Sequence, residues 1–134
     1  MKLRVLLFAA LAGLSACASD VARRPTTPPL KYADYAGPVI EDFHYFRMDG
    51  WEVVSRYELV VWTGLQEAYL LKVWESCQDL EFAFKIGFTS SFRRVTRFDK
   101  LIVGHDRCPI SEIRRIDVAR MKADRAKARE KAPT

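Results

Sequence analysis

Asp99, His105 and Asp106 lie within eight residues of one another, and the string "GHDRC" (104–108) around two of them has the look of an acid–base loop. Two carboxylates and an imidazole could polarise a water for hydrolysis, provided that all three reach one point in space. No serine elbow and no paired-carboxylate motif accompanies them, so a solvated surface turn is the favoured reading. Two other sets of side chains could recognise a ligand. Trp51, Trp62 and Trp74 recur at intervals of 11 and 12 residues, the pitch of a β-meander. Trp62 and Trp74 could face each other across a hairpin as a platform for a sugar ring or a partner peptide, with core packing as the simpler use. "FRRVTRF" (92–98) sets Arg93, Arg94 and Arg97 between Phe92 and Phe98. Such a patch suits a carboxylate or phosphate, or serves as the charged face of an edge strand.

The cysteines set the compartment. Lys2 and Arg4 precede an apolar run, Val5 to Leu14, too short to cross a bilayer but of the size of a secretory signal core. Leu14-Ser15-Ala16-Cys17 resembles a bacterial lipobox, which implies cleavage before Cys17 and acylation of its thiol and new amine. Several acyl chains are needed for a lasting anchor, because one alone binds reversibly. A plain signal peptide cut at a small-residue site is the alternative. Ala18, rather than Asp, follows the cysteine, which favours the outer membrane facing the periplasm by resemblance to the enterobacterial sorting rule. With Cys17 lipidated, Cys77 and Cys108 form an even pair in an oxidising compartment and read as one disulfide. Redox chemistry lacks its CxxC spacing. A zinc site lacks ligands, with His44 and His105 as the only histidines. No metal and no cofactor is expected.

Without the first sixteen residues, the remaining 118 carry 20 basic and 17 acidic side chains, a net charge of +3. That is one domain's length, and the modest surplus suits anionic lipid or cell-wall polymer better than nucleic acid. Residues 1–16 read as the signal peptide. Residues 17–37, with Pro25, Pro28 and Pro29, read as a linker. Residues 38–118 read as a β domain, and 119–134 as a basic, partly helical or frayed tail with little to bury.

Within the β domain, Asp49-Gly50 between two apolar runs signals a hairpin, and Gly64 breaks the strand before "EAYLLKVW". In that strand Tyr69, Leu71 and Val73 share a face. Phe82, Phe84, Ile86 and Phe88 alternate at period two, which predicts a central strand with Phe84 buried. "RRVTRF" and "DKLIVG" read as a strand pair, "HDRCP" as a loop, and Pro109 as the start of an element. "ISEIRRIDV", with Ile110, Ile113 and Ile116 three apart, suits a helix or a bulged last strand. The fold class that follows is mainly β: an antiparallel meander of five to six strands curling into a small barrel or bent sheet, with one disulfide.

The strings "MDGWEVV", "LVVWTG", "AYLLKVWESCQDLEFAFKIGFTS", "RFDKLIVG" and "CPISEIRRID" together resemble an uncharacterised proteobacterial lipoprotein family, domain of unknown function 6491, over about residues 38–118. The features carrying the resemblance are Tyr69 to Leu71, Cys77 with Leu80, Phe98-Asp99, and Cys108 with Ile110 and Ile113. It implies export and disulfide pairing and brings no activity. The expectation is a lipid-anchored envelope protein that binds an envelope protein or cell-wall component. An envelope hydrolase using Asp99 and His105, or a purely structural lipoprotein, are the alternatives.

Overall fold

Residues 50–73 form a three-strand meander: β3 (Gly50–Ser55), β4 (Glu58–Gly64) and β5 (Glu67–Val73). Its turns fall at Arg56-Tyr57 and Leu65-Gln66. Gly64 does end a strand, as its sequence suggests. Asp49-Gly50 does not make a hairpin turn, since Gly50 opens β3 and pairs with Trp62. The structure, a computed structural model, describes residues 30–132. Cys17, the signal segment 1–16 and residues 17–29 of the expected linker lie outside them. The fold reaches back past residue 38: Tyr32, in a 3-10 turn over Tyr32–Tyr35, is buried, and β1 (Ala36–Val39) begins at residue 36.

The remaining elements are β2 (Asp42–His44), β6 (Ile86–Phe88), β7 (Arg94–Thr96), β8 (Lys100–Val103), β9 (Asp106–Ile116) and the helix α1 (Val118–Lys131). The main sheet runs β3-β4-β5-β9-β8-β6, antiparallel throughout, with β1 on the free side of β9. It curls into a half-barrel. β9 changes neighbours along its length, pairing with β8 through residues 106–109 and with β5 from Ile110 onward. Cys108 therefore lies within a strand, and only Gly104-His105 turn where a longer loop was expected. Pro109 also sits inside β9. Its carbonyl accepts from the Trp74 N–H just past the end of β5, so its missing donor falls where the β5 ladder has stopped.

The isoleucine spacing of three resolves as a bulge. Lys72 pairs with Glu112 and Val73 with Ile110, so Ser111 is the extra residue. The bulge puts Ile110 and Ile113 on one face, and regular pleating then sends Ile116 to the other.

Both faces of the central strands are covered. Leu59, Val61, Tyr69, Leu71 and Val73 belong to the larger core inside the curl, with Leu101, Val103 and Ile113. Val60, Ala68 and Leu70 belong to a second core, closed by Tyr32, Ile116, Val118 and Met121. The tail is thus a helix with a packed first turn. Asp117 caps it, its carboxylate accepting from the Arg120 N–H at 3.0 Å. Across the inside of the half-barrel lies a two-strand ribbon, β2 with β7, contributing Phe43 and Val95 to the larger core. β7 accordingly pairs with β2, and not with β8 as the sequence suggested.

The run 82–88 departs most from expectation. Leu80–Phe82 is a 3-10 turn, and only Ile86–Phe88 is a strand, last in the sheet order rather than central. Phe82 and Phe84 are 79% and 89% exposed. The Cys77–Cys108 disulfide forms as expected, and with Leu80 it pins the start of this segment against the larger core. From there Cys77, Leu80, Ala83 and Ile86 face inward, a spacing of three in place of two.

Candidate functional site

The ribbon presents its outer side to solvent. Phe43 and Val95 point in, and Phe43 stacks on Tyr69 with ring centroids 4.3 Å apart and meets Phe88 edge-on at 6.1 Å. Residues of the other parity, Asp42, His44 and Arg94, face out, and Arg94 binds Asp42 across the ribbon at 2.5 Å. At one end Phe46 and Phe92 stand 86% and 98% exposed, with the Arg93 guanidinium 4.9 Å from the centre of the Phe46 ring. At the other end, about 15–20 Å along the ribbon, Phe98 is 81% exposed, with Arg97 5.1 Å over its ring and paired to Glu41.

The turn that displays Phe92 is a strained one. Phe92 and Arg93 have φ of 58° and 59°, and the Arg94 N–H reaches back to the Ser91 carbonyl. Two successive left-handed residues are usually Asn-Gly. A side chain in that region costs about 1–2 kcal/mol. Five of the seven described phenylalanines are exposed, at 46, 82, 84, 92 and 98. Folding leaves unused the ~1.5–3 kcal/mol that burying each would contribute, so the surface can deliver that energy on contact with a partner.

The expected binding residues separate in space. Arg93, Arg94 and Arg97 share the ribbon. Trp62, half-buried, packs against the second core on the other face, and Trp51 packs against the first. Trp74, 59% exposed, lies beyond Val73 at the far end of β5 from Ala68, the partner of Trp62. The two tryptophans do not face each other. Phe46 and Phe92 form the sharper aromatic feature. The sequence offered only polar flanks as a hint: Phe92 sits between Ser90-Ser91 and Arg93-Arg94, and Phe46 between Tyr45 and Arg47.

Asp99 and His105 do not converge. They flank the two ends of β8, roughly 15 Å apart along the strand. The Asp99 carboxylate accepts from the Thr96 N–H and hydroxyl at 2.8 Å each and from the Thr89 hydroxyl at 3.3 Å, which closes the turn between β7 and β8. His105 is exposed in the turn before β9. Among the described residues no group of His, Cys, Asp and Glu is arranged to hold a metal ion, and no helix is long and apolar enough to cross a membrane.

The Tyr69 hydroxyl donates to the Glu67 carboxylate, and Tyr32 donates to Glu52 at 2.5 Å. Burial, then the hydrogen bond to that carboxylate, then its charge, push both phenols up to about 12. Tyr69 is thereby tied to Glu67 within β5, and Tyr32 to Glu52 of β3.

The family model of DUF6491, a family of unknown function, matches residues 1–132. The chain belongs to this family. The match extends over the whole described domain and the segment before it, so α1 and the Tyr32–Tyr35 turn are covered as well as the β sheet. No curated protein and no solved structure matches the chain significantly.

Proposed function

We propose that this member of the family is a lipid-anchored cell-envelope protein, acylated on Cys17 and held at the outer membrane facing the periplasm. Its β domain acts there as a non-enzymatic binding module whose partner is another envelope component, a protein before a cell-wall polymer. The observation that carries the binding reading is the Phe46–Phe92–Arg93 tip: two rings held almost wholly in water, Phe92 in a strained turn, beside a cation with no carboxylate partner among the described residues. Aromatic and Arg side chains of this kind are the usual anchors of protein interfaces. The separation of Asp99 from His105 supports binding over hydrolysis.

Crosslinking of the native lipoprotein in its cells tests this reading. Wild type and His105→Ala should capture the same partner, and Phe46→Ser/Phe92→Ser should lose it while keeping the wild-type unfolding midpoint. Undiminished capture by the Phe variant would remove the tip from the proposal. Metabolic labelling with a fatty-acid analogue tests the anchor: the label should mark wild type and miss Cys17→Ala.

A further inference from the structure

α1 carries six cations, Arg120, Lys122, Arg125, Lys127, Arg129 and Lys131, against Asp124 and Glu130, a net +4 in 14 residues. Among the described residues none of the six pairs with a carboxylate within 4.0 Å. Arg120 and Lys122 donate to the backbone carbonyls of Asp34 and Leu65. Only Val118 and Met121 of this helix are buried, and every residue from Lys122 to Ala132 is exposed. The helix is therefore fastened by its first turn and by the Tyr35 hydroxyl, which donates to the Asp124 carboxylate at 3.2 Å, and it presents a positively charged rod of about 20 Å.

The described chain begins beside that rod. Leu30 and Lys31 line one groove with Asp124, Arg125 and Arg129. Twelve residues lie between Cys17 and Leu30, so the reach from one to the other is at most about 45 Å. A lipid on Cys17 would hold the helix side of the domain within that reach of the bilayer.

We propose that α1 is a docking surface for an anionic phospholipid bilayer, and that it fixes the orientation of the tethered domain. This rests on the anchored reading above. Unpaired Lys and Arg next to an anionic surface each gain Coulomb attraction, which adds to the acyl anchor and favours the pose that brings the helix to the bilayer. The orientation follows from the layers. α1 and Tyr32 cover one face of the sheet and the β2–β7 ribbon covers the other. Docking the helix turns the Phe46–Phe92 tip away from the membrane, toward a partner in the envelope.

The test removes the acyl chain so that charge alone is read. Full-length Cys17→Ala protein is titrated with vesicles of phosphatidylcholine, or of phosphatidylcholine with one quarter phosphatidylglycerol. Partitioning is compared with that of a further variant carrying Lys127→Glu, Arg129→Glu and Lys131→Glu. Residues 1–16, including Lys2 and Arg4, are common to both proteins, so the quantity read is the anionic preference in excess of that of the charge-reversed variant. The protein should partition at least about tenfold more strongly into the anionic vesicles at low salt. That preference should be lost in 0.5 M salt and should fall several-fold in the charge-reversed variant, with helix content by circular dichroism unchanged. Equal partitioning into both vesicle types, as for a helix that seats on a protein, overturns the proposal. So does a preference that the reversal leaves undiminished. Because Cys17 is replaced throughout, these outcomes bear on the helix alone, and the fatty-acid labelling bears on the anchor.

Discussion

Tyr69 shows how one side chain ties burial to pH. Its ring stacks on Phe43 inside the half-barrel, and its hydroxyl reaches the Glu67 carboxylate at the sheet margin. Its pKa rises from 10.0 to about 12, through burial first and Glu67 second. The native state therefore keeps a proton that the unfolded chain loses between these values. Its contribution to stability is complete below pH 10 and is lost as pH rises through 12. Tyr69→Phe should cost about 0.5–1.5 kcal/mol at pH 8, the worth of one hydrogen bond. The gap to wild type should narrow above pH 10, as read by denaturant midpoints at matched pH. A gap constant from pH 8 to 11.5 would mean that the hydroxyl does not titrate with folding. At this scale the sequence was opaque: an alternating strand identifies Tyr69 as inward-facing, but nothing in it says that Glu67, two residues away, accepts its hydrogen bond.

At the scale of elements, the segment from Cys77 to Phe88 is the instructive case. Period two across Phe82, Phe84, Ile86 and Phe88 is a strand pattern, yet the chain uses the competing period of three through Cys77, Leu80, Ala83 and Ile86. Both patterns are in the sequence. The disulfide decides between them, because bonding Cys77 to a buried residue of β9 forces Leu80 inward before the strand can begin. Leu80→Ala, at a fully buried site, should cost about 2–5 kcal/mol. Phe84→Ala should change stability by no more than about 0.5 kcal/mol. Urea unfolding of the two variants with the disulfide intact compares them, and a Phe84 loss matching that of Leu80 would restore the central-strand reading.

For the whole molecule, two small cores on opposite faces of one sheet must hold about a hundred residues, so a covalent staple counts. The bridge spans 31 residues and joins the 3-10 segment to the centre of the sheet. By loop entropy it should contribute roughly 3.5–4 kcal/mol. Cys77→Ala/Cys108→Ala should lower the unfolding free energy by that order. The loss should match what wild type shows in strong reductant, and closely similar stability with and without reductant would mean that the bridge confers little.

The sequence by itself determined the class of the fold, the disulfide partners, the strands of the meander from Leu59 to Val73, and the family, because these rest on local alternation, cysteine parity and the order of short motifs. The bulged reading of "ISEIRRIDV" was also available there, since isoleucines three apart cannot share a face of a regular strand. Tertiary structure alone decided the rest. β7 finds β2 rather than its neighbour in sequence, because pairing partners are set by which edge is free once the half-barrel has curled. α1 acquires a buried first turn only where Val60, Leu70 and Tyr32 meet it. Exposure of Phe46, Phe92 and Phe98 likewise could not be read from residue type. A phenylalanine is a core residue by composition, and only the strained turn at Phe92 and the finished packing beneath the ribbon keep these rings out of the core.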